Sequence, residues 1–302
     1  MPQPLLIYLK RNDMKNFKGK AIYNPSGKAG EYSYWACNFY VGCSHGCTYC
    51  YCKKGILAKA MGQKSPQLKK CFIDGGYHKK DRSIYMLPED YALYIFKLEL
   101  EENIQELKKH GLFFSFTTDP MLTETIELTL NAADISTELD VPVKILTKCT
   151  KWVDKFIENS DTMENAETGL QTWKKYWAFG FTLTGHDELE PGASTNQERI
   201  EAMIKLHNAG FKTFASIEPI IDIDSSYEMI LLANNAGCDL FKIGLEAGKE
   251  YNKTGLLYFM MNVIDRLSDK KVYFKDSLLK QAGITRNKLT ENCVGRDYNL
   301  FE

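Results

Sequence analysis

Four cysteines, Cys43, Cys47, Cys50 and Cys52, fall in the stretch VGCSHGCTYCYC at residues 41–52. The first three follow a C-x3-C-x2-C spacing among Gly, Ser and Thr, residue types that turn readily. Thiolates so spaced can surround one inorganic cluster. Three ligands on a four-iron cluster leave one iron open to an exogenous ligand, which a catalytic centre needs and a structural one does not. A zinc knuckle is the alternative, with Cys52 or His45 as fourth ligand. Zinc ligands usually come as two separated pairs, however, and no second pair follows downstream.

Such a loop needs elements to hold it, and the rest of the chain supplies them. The apolar run Tyr34–Tyr40 predicts a strand leading into the cysteines, followed over residues 53–85 by one short helix and a basic loop. Pro88 opens an amphipathic helix with Leu93, Phe96, Leu100, Ile104 and Leu107 on one face, ending at Gly111. Further strands are predicted over Phe113–Thr117, Val143–Thr147, Trp177–Leu183, Phe211–Ile217 and Leu240–Leu245, with a possible one at Val272–Lys275. Helices are predicted between them over Thr123–Leu139 and Lys151–Asn159, from the capping box Thr195/Glu198 to Gly210, and from Ser225/Glu228 to Gly237. Six strands alternating with helices predict an α/β fold, a partial (β/α)6 TIM-like barrel with parallel strands. Its expected extent is residues 33–285, with an irregular N-terminal arm at 1–32, a C-terminal tail at 286–302 and a polar surface excursion at 160–174.

In such a barrel the chemistry lies at the carboxyl ends of the strands. Those ends carry the cysteine loop, then Thr117, Thr118 and Asp119, then Lys148 and Cys149, then Thr182 and Thr184, then Glu218 and Glu246. Lys148 is suited to a carboxylate or hydroxyl-rich ligand. Arg199, in the first turn of a helix, opposes the helix dipole and so pairs with Glu198 or Glu190 or reaches a ligand carboxylate.

The 302 residues are 44% apolar, enough for one large core, and no apolar run approaches membrane-spanning length. Nine cysteines, an odd and clustered set with no signal peptide, predict reduced thiols in the cytoplasm. Net charge is −1, but residues 1–82 hold fifteen Lys and Arg against four Asp and Glu, so the remainder is acidic. A basic portion beside the cysteines suits nucleic acid or phosphate, and a solvated lysine-rich surface is the alternative.

The cysteine spacing, with Tyr49 before the third Cys, resembles the radical S-adenosylmethionine superfamily. NFYVGCSHGCTYCY, SFTTDPMLTE, VKILTK, LEPGAS with Arg199, and SIEPII further resemble its spore photoproduct lyase-like subgroup over roughly residues 38–222. The resemblance implies a radical SAM fold with a [4Fe–4S] cluster held by Cys43, Cys47 and Cys50. S-adenosylmethionine would bind its open iron, and a flavodoxin- or ferredoxin-type electron donor would reduce it. Tyr49, Thr118, Asp119, Lys148, Thr182, Glu190 and Arg199 would contact or frame the cofactor. Reductive cleavage would yield a 5′-deoxyadenosyl radical that abstracts hydrogen from a substrate. That substrate is nucleic acid (lesion repair or base modification) in one reading and a small molecule or peptide in another. A zinc-binding module without catalysis is the third alternative. The lyase's hydrogen-donor cysteine near the second strand is missing from Phe113–Pro120, and Cys149, one strand over, could replace it.

Overall fold

The computed structural model of the protein describes residues 16–55, 57–77, 83–162, 169–296 and 298–301. Parts of the expected arm (1–15), basic loop (78–82) and polar excursion (163–168) lie outside the described residues. The strands are β1 (Ile22–Tyr23), β2 (Ala36–Cys37), β3 (Tyr40–Val41), β4 (Gln67–Leu68), β5 (Leu112–Phe114), β6 (Val143–Thr147), β7 (Trp177–Thr182), β8 (Lys212–Ile220), β9 (Leu240–Leu245) and β10 (Lys271–Phe274). Eight of them form one sheet in the order β1-β2-β5-β6-β7-β8-β9-β10, while β3 and β4 make a separate antiparallel ribbon. All pairings from β2 through β10 are parallel, and only β1 joins antiparallel.

Six parallel strands were expected and all six form, but the sheet is wider by two. The possible strand at Val272–Lys275 is real and extends β9, and the arm, read as irregular, supplies β1. Strands β7 and β9 are buried at every position, as expected where helices cover one face and a barrel interior the other. Crossover helices such as Pro88–Glu102 and Asn196–Asn208 begin where Pro and the Thr195/Glu198 capping box place them.

Several boundaries move for identifiable reasons. The helix expected to run from Pro88 to Gly111 breaks at Asn103, whose side chain donates to the Glu99 carbonyl, and resumes as Ile104–His110. Strand β5 ends at Phe114, because beyond it the Phe116 N–H donates to Asn38 and the Thr117 carbonyl accepts from Gly42 instead of joining a ladder. Helix Ile223–Asn235 is capped by Asp222, which accepts from the Ser225 N–H, so Ser225 lies inside it. The basic segment returns to the structure through β4 rather than remaining a loop. Trp173, in the expected surface excursion, stacks on Trp177 at 4.9 Å.

The sheet curls until its edges approach, and the arm closes the seam. Lys242 on β9 donates to the Tyr32 carbonyl (2.7 Å), Tyr273 on β10 to that of Glu31 (2.5 Å), and Lys275 to that of Lys28 (3.0 Å). Inside, Ala36, Phe113, Ala178, Phe214 and Leu240 pack with Tyr32 and with Leu300, so the expected tail seals the amino end of the barrel.

The interior is packed tightly enough to test at one position. A Cβ on Gly180 of β7 would lie 2.2 Å from the Phe214 ring. Gly180→Ala should therefore destabilise the fold by about 1–3 kcal/mol through overpacking. Urea denaturation would show this as a lower midpoint with an unchanged slope.

Candidate active site

The cysteine loop leaves β3 through Gly42, whose φ of +87° and close approach to the Ser65 carbonyl exclude a side chain. Neighbouring segments then hold the loop by its backbone. Gly42 donates to the Thr117 carbonyl (3.1 Å), Cys43 to Gln63 (3.1 Å), Thr48 to Leu189 (2.9 Å), and Gly192 returns a bond to the His45 carbonyl (2.8 Å). The loop is thus gripped by the turn after β5 and the loop after β7. At the carboxyl ends of the strands lies a cavity of about 470 Å³, lined by Cys43, Cys47 and Cys50 together with Tyr49, Thr118 and Lys148.

Two buried carboxylates organise this side of the cavity. Glu190 has a fully buried side chain and accepts from Arg199 Nη2 at 2.5 Å and from the Tyr49 hydroxyl, with Lys148 Nζ 3.9 Å away. Arg199 is equally buried and also donates through Nε to the carbonyl of Ser194 (2.8 Å) and through Nη1 to that of Thr182 (2.7 Å). Of the partners that its helix position suggested, Arg199 takes Glu190, and the ion pair is internal. Burial, reinforced by the Glu190 charge, drives the Tyr49 pKa far above its ordinary value, so the phenol keeps its proton and donates it. Lys148 Nζ also stands 5.6 Å over the Tyr49 ring.

Asp119 is the second carboxylate, and every partner it has is part of the frame. It accepts from His45 Nε2 (2.6 Å), the Thr147 hydroxyl (2.7 Å), and the N–H groups of Lys148 (2.7 Å) and Met121 (2.9 Å). Burial alone would raise its pKa, but the bonds from His45, Lys148 and Met121 outweigh that and hold it below the usual carboxylate range. Both His45 ring nitrogens face acceptors, Asp119 and the Gly192 carbonyl, which leaves neither free to ligate a metal. The brace from His45 to Asp119 and Thr147 was not foreseen from sequence. Its signal is a histidine inside the cysteine loop, which the sequence offers only as a possible zinc ligand.

The other expected residues divide in two. Thr118 and Thr182 line the cavity, and the Thr118 hydroxyl is buried with no hydrogen-bond partner among the described residues. Glu190, Arg199 and Cys149 lie behind the wall. Cys149 packs against the main core, and its carbonyl accepts from the Trp152 indole (2.7 Å). Cys52, with no role foreseen, lines the cavity as a free thiol beside Cys50, and hydrogen bonding from it favours the Cys50 thiolate and pulls that group down to about 6. The Cys43 thiol, mainly through burial, is pushed up to about 11.

Among the described residues no three His, Cys, Asp or Glu side chains converge closely enough for a single ion. A four-iron cluster takes each thiolate on a different iron, so its ligands stand further apart around a larger body. Three thiols rimming one cavity, beside an orphaned hydroxyl and an ammonium, fit that larger group and a polar ligand next to it. A family model described as the Radical SAM superfamily matches residues 37–225, which contain all three cysteines. The chain belongs to the radical SAM superfamily. Members bind a [4Fe–4S] cluster and S-adenosylmethionine, cleave the latter to generate a radical, and need an electron donor. Comparison with curated proteins gives no match. Among the described residues no helix is long and apolar enough to cross a membrane.

Two measurements test the frame. Arg199→Ala strands the buried Glu190 carboxylate and should cost about 3–5 kcal/mol in urea denaturation. Asp119 stabilises the fold through a depressed pKa. Its contribution is complete above the unfolded carboxylate pKa near pH 4 and is lost as pH falls through the still lower folded value. Asp119→Asn should accordingly be less stable at neutral pH and show a flatter loss of stability below about pH 4.

Proposed function

We propose that Cys43, Cys47 and Cys50 hold the [4Fe–4S] cluster of a radical enzyme that acts on nucleic acid. The observation that carries the cluster assignment is that the three thiols line one cavity with the unpartnered Thr118 hydroxyl and with Lys148. When bound, the cluster and S-adenosylmethionine supply reductive carbon–sulfur cleavage and a 5′-deoxyadenosyl radical able to abstract hydrogen. The chain's own work is to bind, orient and exclude water. Lys148 offers its ammonium to the cofactor's carboxylate, and Thr118 and Thr182 offer hydroxyls to its polar groups. Tyr49, held by Glu190 and Arg199, keeps the loop and its thiols in register with Lys148. Asp119 acts through His45 and the Lys148 N–H and positions rather than contacts. Cys149 has no part in this proposal, since its thiol does not line the cavity.

Nucleic acid as substrate is supported by the charge of residues 1–82 and by where its described part lies. Lys53, Lys59, Lys64 and Lys70 are exposed in the segment that follows the cysteine loop, and Lys53 lines the cavity. The likeness of five segments to the spore photoproduct lyase-like subgroup points the same way.

Anaerobic reconstitution with iron, sulfide, a reductant and S-adenosylmethionine should produce 5′-deoxyadenosine, and Cys47→Ala should abolish it. Persistence of the product in that variant would refute the cluster assignment. Binding to single- and double-stranded oligonucleotides should weaken steeply with salt, and changing Lys53, Lys59 and Lys64 to Gln should reduce the slope of log K against log salt by up to about three. Absence of affinity, or a flat salt dependence, would leave the basic segment as solvated surface.

A further inference from the structure

The wall of the cavity formed by β8, β9 and β10 carries a second polar group that holding the cluster does not use. Glu218 on β8 and Lys275, directly after β10, form an ion pair at 2.7 Å in which the lysine side chain is 4% exposed. Between them, on β9, Gly244 makes room, since a Cβ there would lie 2.7 Å from Lys275 Cδ and 2.8 Å from Glu218 Cδ. Three neighbouring strands therefore build this pair together. Lys275 spends a further donor on the Lys28 carbonyl, whereas Glu218 Oε2 has no donor among the described residues.

Tyr32, from the segment that closes the seam, completes the group. It is 3% exposed and lines the cavity, and its hydroxyl lies beside Ser216 yet makes no hydrogen bond among the described residues. A buried hydroxyl left unpaired is costly, and its presence on a cavity wall points to a ligand that satisfies it. The surrounding wall is apolar and aromatic. Phe113 and Phe116 stand 4.6 Å apart, and both meet the Tyr32 ring at steep angles. Tyr32 and Lys275 both fall outside residues 37–225, so no part of the family match covers them.

These features narrow the chemistry of the ligand. Glu218 and Lys275 neutralise one another, and Lys242, whose Nζ stands 4.1 Å from the centre of the Tyr32 ring, is pushed by burial towards its uncharged form, so a charged ligand would bring an uncompensated charge against an aromatic wall, at high desolvation cost. What is open to a ligand is one acceptor, Glu218 Oε2, on a side chain that is 23% exposed, and one buried donor without a partner among the described residues, the Tyr32 hydroxyl, beside flat apolar surface on which a ring can pack. We propose that Tyr32, Glu218 and Lys275 form the substrate-recognition end of the cavity and take the lactam edge of a planar heterocycle. Its N–H donates to Glu218 and its adjacent carbonyl accepts from Tyr32. Lys275 holds the Glu218 carboxylate in place. This rests on the reading of the cavity as the site of a radical enzyme, and it narrows the substrate to a nucleobase-like ring, free or within a strand.

The test is equilibrium binding to anaerobically reconstituted protein loaded with S-adenosylmethionine. The probes are uridine and inosine, which carry the edge on a pyrimidine and a purine, their ring-N-methylated forms, and octathymidylate. Uridine, inosine or octathymidylate should bind, and methylation of the ring nitrogen should weaken nucleoside binding at least tenfold. Octathymidylate binding more tightly than uridine, with a salt dependence, identifies a base within a strand, and equal affinities identify a free nucleoside. Tyr32→Phe should weaken binding about tenfold while raising the melting temperature of the ligand-free protein, because it removes an unpaired buried hydroxyl. A residue needed only for packing, or one bonded to water, would not give that combination. Glu218→Gln, which puts an amide in place of the acceptor, should weaken binding independently. Equal binding of methylated and unmethylated probes would overturn the inference, as would unchanged affinity in both variants. Failure of every probe to bind a protein that still binds and cleaves S-adenosylmethionine would end the lactam assignment and leave the radical-enzyme reading intact. Failure of the wild-type protein to take up iron and the cofactor would count against that reading instead.

Discussion

The buried carboxylate of Glu190 is the constraint on which the site depends. One side chain, with no exposure, receives a guanidinium from helix Asn196–Asn208 and a phenol from the cysteine loop, and has an ammonium from the end of β6 nearby. Arg199 in turn ties it to the carbonyl of Thr182 at the end of β7. A charge pair so far from water gains little net stability over an apolar substitute, since desolvation offsets most of the attraction. What it contributes is geometry. Tyr49 sits between Cys47 and Cys50 in sequence, so anchoring its hydroxyl fixes the stretch of loop from which two of the three thiols project.

Asp119 does the corresponding work from the other direction. Its four donors come from the cysteine loop, from β6 and the residue after it, and from the turn that follows β5. Glu190 and Asp119 therefore brace the same loop, one through a phenol and one through an imidazole, and both reach the segment around Lys148. The consequence is a cysteine loop braced from two sides, the kind of preorganisation that a site for radical chemistry needs.

The opposite polar group, Glu218 with Lys275 and Tyr32, shows how the edges of the curled sheet contribute. A sheet of six parallel strands would leave an open seam beside the first strand. Here β10, the helix Gly27–Gly30 and Tyr32 fill it, and the hydrogen bonds that close the seam also bring Lys275 into the cavity. The described C-terminal residues pack through Leu300 against the interior residues Ala36, Phe113, Ala178, Phe214 and Leu240. Architecture and chemistry are coupled in that the segments closing the barrel are those that furnish its second set of polar groups.

Local spacing was enough to single out the cysteine loop. Three thiols within eight residues point to a cluster without any tertiary information, and alternating apolar runs and capping signals declare parallel strands joined by helices, because both patterns are set by short-range periodicity. Thr118, Lys148 and Thr182 were legible as strand-end residues for the same reason. Long-range pairing was not legible. That Arg199 turns inward to Glu190, that His45 belongs to Asp119, that Cys149 faces the core while Cys52 faces the cavity, and that Tyr32 meets Glu218 all depend on which strand neighbours which and how far the sheet curls. Those are properties of the closed barrel. Residue spacing encodes which face of its own element a side chain occupies, and only the packed structure decides what stands opposite.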